Sequence, residues 1–185
     1  MNKINRFVVF LFAIFILTSC GSGRDNKLSD IKELEKIPLY NNEGKPDKEQ
    51  INKLIKAYEV FSKSYPEDSL AVEFLFSASR LYVLNNDFSS AIGTLDIIID
   101  KYKSNPRVPD CIFSKANIYE TNMHDLVNAR KNYELLIKEY PNHPLTDDAK
   151  ILLENLGKSP EDLLQTILAN QQNSCSSCAS NCEDT

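Results

Sequence analysis

The sequence predicts an all-α fold, a solenoid of helical hairpins with about seven helices. Three observations carry that expectation. Apolar residues recur at steps of 4, 3 and 4 in several segments, the spacing of one helix face. Those segments return 37 and 38 residues apart, which marks a structural repeat. Glycine is rare, at 5, Trp is absent, and Leu, Ile, Ala, Lys, Glu and Asn dominate, a composition that favours helices over strands. A chain of 185 residues is long enough to bury a core of its own.

Residues 1–19 stand apart. Lys3 and Arg6 give a positive start, and Phe7 to Leu17 form an unbroken apolar run. A membrane-spanning helix needs ~20 apolar residues. This shorter run followed by small residues has the form of a secretory signal. Leu17-Thr18-Ser19-Cys20 resembles the lipobox of bacterial lipoproteins. The resemblance implies that Cys20 carries a diacylglycerol on its thiol, that the chain is cut before it, and that its amino terminus is acylated. Two or more acyl chains hold a protein on a bilayer without crossing it. Gly21, where an inner-membrane lipoprotein of the enteric type has Asp, leans towards the outer membrane and its periplasmic face. Residues 20–46 then read as lipidated tether and linker. Gly21 to Gly23 are its flexible part, 28–37 a short amphipathic helix after Ser29, and 38–46 a connection.

The repeat domain spans 47–172. Asp47 and Gln50 have the spacing of a capping box ahead of the first stripe, Leu54, Tyr58, Phe61 and Tyr65. The stripe returns as Ala91, Leu95, Ile98, Tyr102 and again as Ala129, Tyr133, Leu136, Tyr140. Pro66, Pro106 and Pro141 end the three segments, because proline cannot continue a helix. A second helix precedes each later stripe, over 69–84 and 108–121, and a third such helix contains Ala149, Leu153 and Leu156. Cys111 falls on an apolar position of its helix and reads as core. Asp87 and Asp125 are placed to cap the helices they precede. Asp68, Asp147 and Asp148 suit helix starts by complementing the dipole. The one-residue difference in period falls between Glu120 and Ala129. Gly157 is placed to close a helix, and Ser159-Pro160-Glu161-Asp162 to open a last one.

Two-helix units of this period resemble tetratricopeptide repeats over residues 47–157, with the longer second helix seen in bacterial envelope proteins. The Trp-Leu-Gly start of that repeat is absent here. The resemblance implies a groove lined by the first helix of each unit, holding an envelope protein or peptide. Carried over by position, Glu73, Asp110 and Asp148 form an acidic row in it. Phe76, Phe113 and Ile151 form an apolar row, and Arg80, Asn117 and Asn155 a hydrogen-bonding row. Phe76 and Phe113 serve equally well as partner anchors or as seals between repeats.

Enzymatic chemistry is not expected. The sequence has no glycine-rich phosphate loop and no nucleophile elbow, and its two histidines, His124 and His143, fall in turns. No small-molecule substrate or cofactor is called for. A net charge of −5 supplies no field for nucleic acid, and loss of Lys3 and Arg6 makes it more negative. The Ser/Asn-rich tail, 173–185, carries Cys175, Cys178 and Cys182. Disulfides suit an exported chain, whereas C-x2-C-x3-C could also hold zinc or an iron–sulfur centre with a fourth ligand from elsewhere. A metal- or redox-handling lipoprotein is thus the alternative to an adaptor that binds another envelope protein.

Overall fold

The computed structural model describes residues 23–159 together with 161, 162, 164, 165 and 168. It is all-helical. Helix α1 covers 23–35, followed by α2 (Lys48–Ser64), α3 (Ser69–Leu84), α4 (Phe88–Lys101), α5 (Val108–Asn117), α6 (Leu126–Glu139) and α7 (Leu145–Asn155). A π-helical turn, Ile118–Asn122, continues α5. Among the described residues the only β-type pairing is a single bridge between Tyr40 and Pro46. Two compact units divide inside α5, one ending at Cys111 and one starting at Ile112.

In the first unit, α2 packs on α3 and α3 on α4. The expected stripes are the core: Leu54, Tyr58 and Phe61, then Ala91, Leu95 and Ile98, are all buried. Each large aliphatic or aromatic side chain buried this way contributes ~1.5–3 kcal/mol. Phe74 lies between two α2 rings, stacked on Tyr58 with centroids 5.0 Å apart and edge-on to Phe61 at 4.9 Å. The buried Ser62 hydroxyl donates to the carbonyl of Ala71, tying the two helices at their turn.

Helix α1 differs from the expectation. It is helical from Gly23, the first described residue, rather than from near Ser29, and it lies on the core. Ile31, 1% exposed, joins Ile51, Ile55 and Tyr58 in one cluster. Its two ends are fixed by polar bonds. Arg24 pairs with Asp68 at the α2–α3 turn, and the Gln50 amide donates to the carbonyl of Leu34 at 2.9 Å. Gln50 therefore does not close the reciprocal half of a capping box. Asp47 does cap α2, accepting from the backbone N–H of Gln50.

In the second unit, the π turn packs on α6 and α6 on α7. Ala129, Tyr133 and Leu136 are all 0% exposed. The Tyr133 hydroxyl donates to Glu120 at 2.7 Å.

The period is visible in the backbone. Tyr65, Tyr102 and Tyr140 close α2, α4 and α6 by donating to Phe61, Ile98 and Leu136. Asp68, Asn105 and His143 follow at the same place. Their side chains accept from the N–H two residues on, at Leu70, Arg107 and Leu145. The opposite turns repeat as well. Asn86 and His124 adopt left-handed conformations, φ 60 and 54, and Asp87 and Asp125 cap the next helices through Ser90 and Asn128. At the first of these turns the N–H of Asp87 bonds the carbonyl of Tyr82, and that of Asn86 bonds Val83, a Schellman closure. At the second, Asp125 reaches Tyr119 across one more residue. The π turn absorbs the residue that makes the second period longer. Gly157, φ 79, follows α7 as expected, and Ser159 and Asp162 exchange the two bonds of a capping box.

Candidate binding cleft

A concavity of about 610 Å³ in the first unit opens where the end of α1 and its following loop face α2 and α3. Leu39, Tyr40, Leu54 and Leu84 make its walls apolar. Two polar features stand in it. Tyr58 donates to Glu35 at 2.8 Å, and burial together with that carboxylate holds its phenol well above the usual tyrosine range. Arg80 lies on the exposed side of α3 and, among the described residues, makes no ion pair or hydrogen bond. An uncommitted guanidinium beside apolar surface suits a carboxylate, to which it can donate two parallel hydrogen bonds.

The other residues expected on α3 are already engaged. Arg107, unremarked in the sequence, donates to both oxygens of Glu73 at 3.1 and 2.6 Å. Its guanidinium lies 5.1 Å over the ring of Phe76 and 3.5 Å from Asp110. Glu73, Phe76 and Asp110 thus come together, but around an internal cation rather than as an open acidic row. The hydrogen bonds to Glu73 are the main cause of a raised Arg107 pKa. Arg107 lies between a predicted proline stop and a predicted helix start, 34 residues from Glu73. No local pattern in the sequence joins the two.

In the second unit Phe113 is half-buried with its ring 5.9 Å from that of Tyr133, a packing contact. The Asn117 side chain accepts from Thr121 at 3.3 Å, and that of Asn155 donates to the carbonyl of Ile151 and accepts from Lys158. Asp148 is exposed in the first turn of α7, and Ile151 is 58% exposed. Of the hydrogen-bonding row, Arg80 alone has its side chain uncommitted.

Cys111 is fully buried, and desolvation pushes its thiol up to about 12, so it is held neutral and shielded. His143 accepts a backbone hydrogen bond and His124 shapes a turn. Among the described residues no three His, Cys, Asp or Glu side chains are grouped to hold a metal, and no helix is long and apolar enough to cross a membrane. Cys20, Cys175, Cys178 and Cys182 lie outside the described residues. No protein-family model matches the chain, and no curated protein matches it.

Proposed function

We propose that the chain is a lipid-anchored adaptor of the bacterial envelope, built from tetratricopeptide-like hairpins, that grips an extended segment of another envelope protein. In this reading Cys20 carries the lipid, the outer membrane is the anchor site and the periplasm is the working face. No turnover is involved. The observation that carries the reading is Arg80, an unpaired cation on the wall of an open apolar cleft. An acidic side chain or terminal carboxylate of the bound segment meets it, and apolar side chains of that segment cover Leu39, Leu54 and Leu84. Burying such anchors beside a charge-assisted pair is a common source of affinity at small interfaces. The repeated turn bonds at Tyr65, Tyr102 and Tyr140 support the repeat assignment.

The test is crosslinking in intact cells followed by mass spectrometry, with the full chain and with Arg80→Ala. Arg80 is exposed, so the substitution shifts stability by no more than about 0.5 kcal/mol. Loss of the crosslinked partner at unchanged melting temperature is the expected result. An unchanged crosslink pattern in Arg80→Ala excludes the cleft as the docking surface. Capture that instead depends on Cys178, with stoichiometric zinc or iron in the purified protein, turns the assignment to the tail.

A further inference from the structure

We infer that the first unit stands directly on the phospholipid headgroups by its α2–α3 turn, with the cleft opening away from the bilayer. This rests on lipidation at Cys20. A lipidated Cys20 is three residues from Gly23, and three peptide steps of ~3.6 Å span at most about 11 Å. Gly23 already belongs to α1, and α1 is tied to the core at that end. Arg24 donates from Nε and Nη2 to the two oxygens of Asp68, and its guanidinium lies 6.0 Å from the Phe61 ring. A side chain at Gly23 would meet the Tyr65 hydroxyl at 3.2 Å, so the start of α1 sits against the end of α2. With lipid on Cys20, only Gly21 and Ser22 separate the anchored residue from α1, and the turn around Tyr65 to Asp68 is held at the membrane surface.

The chemistry of that end fits headgroups rather than acyl chains. Its exposed groups are polar or charged apart from Pro66, with Asp25, Lys63 and Glu67 the charged ones, and Arg24 and Asp68 neutralise each other. No large apolar side chain is exposed in the turn, so nothing there inserts. The near balance of charge means that the tether, not attraction to anionic lipid, sets the distance. Arg80 lies twelve residues along from Asp68, about 18 Å up the helix at 1.5 Å per residue. The cleft is therefore presented to the periplasmic space and stays clear of the bilayer.

The full lipidated chain, carrying a fluorescent amino acid at Glu67 or at Glu43, is reconstituted in vesicles of phosphatidylethanolamine and phosphatidylglycerol that contain headgroup-labelled quencher lipid. Quenching at Glu67 is expected to exceed that at Glu43 several-fold, and to persist when phosphatidylcholine replaces the anionic lipid. A spacer of about 15 Gly/Ser residues after Ser22, a coil of roughly 20 Å, abolishes the difference while leaving the fold untouched. Equal quenching at both sites, in protein that is acylated and vesicle-bound, overturns the pose and leaves the anchor standing. Absence of acyl label, or binding unchanged by Cys20→Ser, overturns the anchor and the pose with it.

Discussion

Three residues hold left-handed backbone at helix ends, and they differ in how well they suit it. Asn86 tolerates φ 60 through its short polar side chain, and Gly157 takes φ 79 at no steric cost. His124, at φ 54, has neither advantage. The conformation costs an ordinary residue about 1–2 kcal/mol. A glycine placed there loses ~0.5–1 kcal/mol through its freer unfolded chain. His124→Gly should therefore stabilise the protein by about 0.5–1 kcal/mol, read as a higher urea midpoint with unchanged slope. Gly157→Ala goes the other way. Its methyl would lie 3.0 Å from Cδ1 of Leu126 on strained backbone, so a loss of more than about 1 kcal/mol is expected in the same assay. Asn86 could be read from the sequence as a turn residue. His124 gave a weaker signal, because histidine adopts a positive φ far less readily than glycine.

At the scale of elements, the hairpin turns show how one inserted residue is absorbed. Tyr82 to Asp87 closes as a Schellman turn, whereas Tyr119 to Asp125 contains one more residue and widens into the π turn Ile118–Asn122. π turns arise from such single insertions and leave the flanking helix in register. Deleting Asn122, which is exposed, should convert the second turn to the form of the first. The melting temperature should then change by no more than the 2–4 °C that about 1 kcal/mol represents at this size. Deleting Asn86 removes the left-handed position and both closing bonds, at ~1 kcal/mol each, so a loss of about 2 kcal/mol is expected. Equal effects of the two deletions would contradict the role given to the π turn. The stripes on α2, α4 and α6, and the bounds of α3, were legible because each helix carries its own apolar face. Helix α1 was not. Ile31 is its one fully buried residue, and its first turn is held by Arg24 and Tyr65, contacts with residues some forty positions away. The cleft escaped notice for the same reason, since its floor and rim exist only once α1 folds back.

Across the whole molecule, one device recurs in both units: a tyrosine on one element donating to a glutamate on another. Tyr58 to Glu35 and Tyr82 to Glu59 serve the first unit, and Tyr133 to Glu120 the second. Each phenol is held neutral first by burial and then by its carboxylate partner, which makes ionisation doubly unfavourable. Tyr82 is pushed up to about 12, and the other two rise in the same direction. In the unfolded chain a tyrosine loses its proton near pH 10. A pKa raised by folding means that the unfolded chain binds fewer protons above that pH. The stabilisation is thus complete below pH ~10 and is lost as pH climbs through the folded values. Denaturant midpoints should be flat on the alkaline side of neutrality to about pH 10 and fall steeply towards pH 12. The share of the phenolate absorbance that Tyr58, Tyr82 and Tyr133 supply, read as the difference from their Phe variants, should appear together with loss of helical circular dichroism, because these hydroxyls cannot ionise while their helices stay packed. Tyr82→Phe separates this account from general charge repulsion. It removes one titrating group without removing a charge at neutral pH, so the alkaline fall should become shallower. If the phenolate share of these three tyrosines forms well before helicity is lost, the three bonds do not hold the elements together.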